Sequence, residues 1–197
     1  KKHRDGDLPA VIRADGTQEW LKDGKKHRDG DLPAVIQTDG TQKWYKNGRK
    51  HRDGDLPAVI WKDGSQEWWN VGEWCQRDGW YKNCGRHRDG DLPAVIRADG
   101  SQEWWKDGEC QRDGDLPAVI RADGSQQWWK VVECQHQNRW YKNRGRKHRD
   151  GDLPAEIWKD GSQFWWKDGK QHRDGDLPAV RADGTQEWWK DGKLHRD

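Results

Sequence analysis

The residues with the most chemical capacity in this chain lie in a short run, His-Arg-Asp-Gly-Asp. It occurs seven times, beginning at residues 3, 27, 51, 87, 111, 148 and 172, with Gln in place of His at 111. Two carboxylates separated by one glycine, such as Asp29 and Asp31 beside His27, suit a hard cation such as Ca²⁺. Asp-Gly-Asp is also turn chemistry, in which the side chains bond nearby backbone amides. A cation ladder would normally bring more acidic ligands per turn, so the pattern predicts turns, with no metal and no other cofactor.

Catalysis finds as little support. Ser occurs only beside turns, and no base stands uniquely near a nucleophile. The His-Arg-Asp triplet lacks the downstream Asn, the glycine-rich loop and the helical setting of a kinase catalytic loop. The expectation is no catalytic residue and no enzyme. Tryptophan pairs at 68–69, 104–105, 128–129, 165–166 and 188–189 could stack sugar rings. Neighbours in a strand point to opposite faces, so one Trp of each pair serves a core and the other covers a second layer, a partner or a ligand. Cys75, Cys84, Cys110 and Cys134 cluster mid-chain without C-x-x-C spacing. Cys110 and Cys134 are one period apart. They are too distant for a disulfide in a side-by-side hairpin array and close enough in a one-unit-per-coil solenoid. Four reduced thiols packed among Trp are the favoured reading, with a disulfide kept open.

These residues belong to one module copied along the chain with a 24-residue period, which is how a repeat array buries what no copy could bury alone. Full units run near 3–26, 27–50, 51–75, 87–110, 111–134, 148–171 and 172–194, the last interval shortened by the missing Ile after Val180. Residues 76–86 and 135–147 read as shortened modules. The chain begins and ends inside the pattern and has no Met, as a piece of a longer array would. No apolar run is long enough for a signal peptide or a membrane span. Leu, Ile, Val and Phe total only 25 residues, against 37% charged residues, a composition close to that of disordered chains. Opposing this, 37 basic and 35 acidic residues nearly cancel, and 17 Trp can each bury roughly 150–250 Å². Trp is expected to replace the missing aliphatic core. Interleaved charges also weigh against nucleic-acid binding, since no basic stripe develops.

Within a unit, Pro33–Thr38 and Thr41–Lys46 read as strands joined by Asp39-Gly40. Asn47-Gly48 turns the chain again into Arg49–Arg52. No segment has helical periodicity, so the fold class is all-β. Two-residue turns would place Val35 opposite Trp44, Ala34 opposite Tyr45 and Ile36 opposite Lys43. Around the second turn they place Trp44 opposite His51 and Tyr45 opposite Lys50. Val35, Trp44 and His51 would then share one face, and Ala34, Ile36 and Tyr45 the other. The same counting predicts the cross-strand pairs Glu19–Arg28 and Glu103–Arg112 and sets Lys43 unfavourably against Arg52. Trp20, Trp44, Trp68, Trp104, Trp128, Trp165 and Trp188 are the stacking residues of successive copies.

The unit resembles the MORN repeat, in the HREDGPA-type form found in tandem arrays of bacteria and large DNA viruses. The resemblance rests on Trp44, Lys46, Asn47, Gly48, His51, Arg52 and Gly54, then Pro57-Ala58, Asp63-Gly64 and Trp68, and extends over essentially the whole chain. It implies an elongated array of hairpins laid side by side in a twisted, groove-shaped sheet, acting as a scaffold or interaction module, with lipid binding proposed for some members. The chain departs from that family in carrying Arg where the usual repeat has Gly after His, in an inserted Asp-Leu before Pro-Ala, and in its Trp-Trp pairs. A single twisted sheet and a β-solenoid both fit the period.

The function expected is a structural scaffold that assembles with itself, and with other structural proteins, into a filament, shell or virion component. A virion or a cell-surface structure is its expected home. The alternative is a carbohydrate-binding module using exposed Trp; an immunity-type interaction module is a third reading.

Overall fold

The computed structural model describes residues 7–70, 73–75, 80–82, 85–131, 133–136, 139–142, 145–175, 177–180 and 184–196, with backbone only at 73–75, 80–82, 133–136, 139–142, 179–180 and 196. Every regular element described is a β-strand, most of them two residues long. The chain divides into two compact units, Lys1–Ala98 with Lys106–Gly108, and Asp99–Trp105 with Glu109–Asp197.

Each repeat contributes two hairpins of different construction. In the first, Val35–Ile36 pairs with Gln42–Lys43, Val35 opposite Lys43 and Ile36 opposite Gln42. Its loop is closed by Gln37 N donating to Thr41 O at 2.9 Å and Gly40 N donating to Gln37 O at 3.0 Å. Gly40 has φ +90° and Asp39 is not left-handed, the pattern of a type I turn followed by a glycine bulge. The expected two-residue turn at Asp39-Gly40 is therefore corrected by one residue: Lys43, not Trp44, faces Val35. The cause lies just beyond the turn. Asp39 Oδ1 accepts the Thr41 amide at 2.8 Å, and Asp15, Asp63, Asp99, Asp123 and Asp160 hold Thr17, Ser65, Ser101, Ser125 and Ser162 in the same way at 2.8–2.9 Å. The hydroxyls then accept an amide of the following copy: Thr41 Oγ1 from Lys62 N, and Ser65, Ser101 and Ser125 Oγ from Ala98, Ala122 and Lys159 N, at 3.0–3.2 Å.

The second hairpin is as the sequence predicts. Tyr45–Lys46 pairs with Arg49–Lys50, Tyr45 opposite Lys50, around Asn47 (φ +51°) and Gly48 (φ +85°), the two positive angles of a type I′ turn. His51 N donates to Trp44 O at 3.2 Å.

First hairpins join edge to edge. Gln42–Lys43 pairs not only with its own Val35–Ile36 but with Val59–Ile60 of the next copy. Among the described residues, the antiparallel hairpin sheet so formed has seven strands in the first unit, from Val11–Ile12 to Val95–Ile96, and five in the second, from Gln102–Glu103 to Gln163–Phe164. The pairings are antiparallel throughout, which selects the hairpin sheet over the solenoid. Along it, Val and Glu or Lys alternate in one row (Val11, Glu19, Val35, Lys43, Val59, Glu67, Val95) and Ile and Gln in the other. Trp44 N donates to Ala58 O at 2.8 Å, so the Trp faces the next copy's alanine rather than its own valine. Buried Ala, Val and Trp form a thin interior: Ala34, Ala94, Ala118 and Ala155 are fully enclosed and Trp20, Trp44, Trp68, Trp104, Trp128 and Trp165 nearly so.

Of residues 76–86 and 135–147, read from the sequence as shortened modules, those that the structure describes lie on lengthened second hairpins. Trp69 pairs with Arg86 and Asn70 with Gly85, and in the same register Glu73–Cys75 pairs with Trp80–Lys82. Trp129 and Lys130 pair with Lys147 and Arg146, and Glu133–His136 pairs with Arg139–Lys142. The copy then resumes normally, His87 N donating to Trp68 O and His148 N to Trp128 O at 3.1 Å. Replacing residues 71–84 by Asp-Gly should therefore restore an ordinary repeat, and the thermal midpoint should stay within about 4 °C of the parent, since shortening a surface hairpin changes closure entropy little. Differential scanning calorimetry of the two proteins measures it; a collapse of the transition would contradict the pairing.

Candidate functional site

The repeated run His-Arg-Asp-Gly-Asp builds a staple between copies. Arg28 lies over the Trp20 ring, 3.8 Å from its centroid. Its Nε and Nη2 donate to Asp7 Oδ1 and Oδ2, both at 2.6 Å, and its Nη1 donates to Pro33 O at 3.2 Å. Arg52 repeats this on Trp44 with Asp31, Arg88 on Trp68 with Asp55, Arg149 on Trp128 with Asp115, and Arg173 on Trp165 with Asp152. Arg112 lies 3.9 Å over Trp104 and donates to Pro117 O. The guanidinium–indole contact contributes about 1–2 kcal/mol where water is excluded, and the two-pronged carboxylate contact fixes its orientation. Hydrogen bonding from the guanidinium holds Asp7, Asp31, Asp55, Asp115 and Asp152 below the usual carboxylate value of 3.8.

The other carboxylate of the run serves its own copy. His27 Nε2 lies 2.9 Å from Asp29 Oδ1, Lys22 Nζ reaches the same carboxylate at 3.0 Å, and Asn47 N donates to His27 Nδ1 at 3.3 Å. With Nδ1 accepting, the proton of a neutral imidazole sits on Nε2 and points at Asp29. His51, His148 and His172 hold Asp53, Asp150 and Asp174 alike, with Lys46, Lys130 and Lys167. The oxygens considered for a cation are thus engaged by Arg, His and Lys.

The predicted pair Glu19–Arg28 is replaced by other partners. Glu19 meets Arg13 Nη2 at 2.8 Å and Lys26 Nζ at 3.4 Å, because the sheet turns its side chain to the Val face while Arg28 crosses to Trp20. Glu103 accepts from Trp105 Nε1 at 2.9 Å while Arg112 covers Trp104. Lys43 and Arg52 likewise separate, Lys43 lying beside the Trp61 ring and Arg52 bonding Asp31. Trp188 is half-buried in the longer strand Gln186–Lys190, where Ala179 pairs with Glu187. Cys110 is a buried thiol packed with Ala118 and Val119 against Trp105 and Trp129. The backbones of Cys75 and Cys134 lie on the two long hairpins; their side chains, and all of Cys84, fall outside the described residues.

The second aromatic of each pair lies on the Val–Glu face. Trp69, Trp105 and Trp189 donate their Nε1 to the Glu two residues earlier, at 2.8–2.9 Å. Lys50 lies 4.2 Å over Trp69. One copy departs from the common pattern at three positions: Glu156 replaces Val, Trp158 stands where most copies have Arg or Gln, and Phe164 stands where most have Glu. Their side chains gather at a cleft of about 540 Å³ with Lys147, Trp166 and Gln171. Trp158 is 50% exposed, and its ring is 5.5 Å from Phe164 at 51°. Glu156 is enclosed. It takes Lys147 Nζ at 2.8 Å and Gln127 Nε2 at 2.8 Å. Burial pushes its carboxyl up, but hydrogen bonds from Lys147, Trp158 and Gln127 and the Lys147 charge outweigh that and hold it below its usual value. Sequence reasoning missed this cluster, although aligning the copies in columns exposes all three substitutions. A related cleft in the first unit contains Trp61, Glu67 and Arg86, but there Trp61 donates to Glu67 at 3.3 Å and Lys43 Nζ lies 5.1 Å from its ring centroid. No family model, curated protein or solved structure matches this chain.

Proposed function

We propose that the chain is a non-catalytic scaffold of MORN-like hairpin repeats that assembles with further copies of itself. The supporting observation is one leucine left in solvent at the same place in every repeat. Leu8, Leu32, Leu56 and Leu92 in the first unit are 43–52% exposed, and Leu116, Leu153 and Leu177 in the second 45–46%. The Asp before each leucine in five copies is bound to an Arg of the next, which fixes the leucine beside it at one position along the array. An apolar row with a fixed period is matched best by a surface of the same period, which a second copy supplies.

Sedimentation velocity over a hundredfold concentration range tests the reading. The expected result is mass growing with concentration for the parent and a constant monomer for the triple variant Leu32→Asp, Leu56→Asp, Leu92→Asp, whose circular dichroism matches the parent. A parent that stays monomeric throughout overturns it.

A further inference from the structure

We infer that the cleft around Trp158 binds a neutral saccharide, its pyranose ring stacked on the exposed indole. This is independent of self-assembly. A sugar ring has an apolar C–H face that needs a flat aromatic partner and a rim of hydroxyls that need mixed donors and acceptors. Trp158 supplies an indole half open to solvent, with Phe164 tilted against it at 51°. Lys147, Gln171 and Ser162 line the remaining wall with polar side chains.

Two details favour this cleft. At Trp69, Trp105 and Trp189 the indole N–H has a glutamate acceptor two residues earlier; at Trp166 that position is Phe164, and Nε1, like that of Trp129, has no partner. Trp166 lines the cleft with this unpaired donor shielded just beneath the wall, and such a group is costly to leave unmet. The charge is also balanced. Lys147 and Glu156 neutralise each other at 2.8 Å, so a cationic ligand would compete with Lys147 and an anionic one would face Asp160 on the rim. A neutral, polyhydroxylated ring meets neither obstacle. In the cleft of the first unit, Trp61 is 37% exposed against 50% for Trp158 and has Lys43 Nζ 5.1 Å from its ring centroid, which makes it the natural control.

Isothermal titration calorimetry with cellotetraose, chitotetraose and maltotetraose, each raised to about 10 mM so that weak millimolar binding is seen, decides the matter. The expected result is saturable binding of at least one of the three. Trp158→Ala should weaken it by about tenfold or more, the loss typical of an aromatic anchor, while Trp158→Phe retains most of it and Trp61→Ala leaves it unchanged. Because Trp158 is half exposed, its variants should unfold within about 4 °C of the parent, which separates lost binding from lost fold. Silence with all three sugars, or binding indifferent to Trp158→Ala, overturns the inference.

Discussion

Trp44→Ala is expected to destabilise the protein by about 3–5 kcal/mol, the range for emptying a large aromatic site in a packed interior. Trp44 is 6% exposed, hydrogen bonds through its backbone to Ala58 and His51, and carries the Arg52 guanidinium 4.0 Å above its ring. Its removal opens a cavity between two copies and strips Arg52 of its aromatic cover, leaving a guanidinium whose side chain is only 14% exposed. In a repeat array stability is close to a sum of unit and nearest-neighbour terms, so damage at one junction should also broaden the transition. Urea titration followed by far-ultraviolet circular dichroism gives both quantities. Trp158→Ala is the matched comparison: half exposed, it should cost about 1 kcal/mol or less. Equal losses for the two would mean that the interior is not organised around the first Trp of each pair.

Acid should unfold the protein through its junctions. Asp7, Asp31, Asp55, Asp115 and Asp152 sit below their usual 3.8 because of the guanidinium hydrogen bonds. Asp29, Asp53 and Asp174 are lowered first by the imidazole and then by the lysine, and Asp150 by Lys130 and then His148. Asp15, Asp39, Asp63 and Asp123 are lowered by the amides they accept in the first turns. A carboxylate with a lower pKa when folded stabilises the fold fully above its unfolded value, and that contribution disappears as pH falls through the folded value. Denaturant midpoints should therefore drop below about pH 4, steeply because so many sites share one direction. Each site is largely solvent-exposed, so its individual share is small and screened by salt; the number of copies makes the effect large. Urea midpoints measured from pH 5 down to pH 2 test it, and a midpoint that does not move would contradict the lowered values.

Much of the fold could be read from composition and punctuation, and where reading failed the causes are local. Asp-Gly occurs in both hairpins, yet Asp23-Gly24 is a type I′ turn with φ +52° and +79°, while Asp39-Gly40 is not. The difference is Thr41, whose amide claims the Asp39 carboxylate and keeps that residue out of the left-handed region. Dipeptide rules see the turn and not the residue after it. The staple was equally out of reach, because Arg52 and Asp31 are 21 residues apart and meet only once neighbouring copies pair. In Arg88 and Arg149 the separations grow to 33 and 34 residues, since a long hairpin intervenes without changing the contact. The Trp158 cluster was legible in principle. Repetition draws attention to what the copies share, whereas Glu156 and Phe164 are informative because they differ, and Trp158 because only Trp61 shares its position.

The constancy of the Arg–Asp contact across those intervals has a practical consequence. The tip of the second hairpin is a port at which chain can be added without altering the spacing of later copies, as the longer connections beyond the Asn70–Gly85 and Lys130–Arg146 pairs already demonstrate. A foreign epitope or enzyme fused through that turn, in any ordinary copy, should be displayed at a defined address along the array.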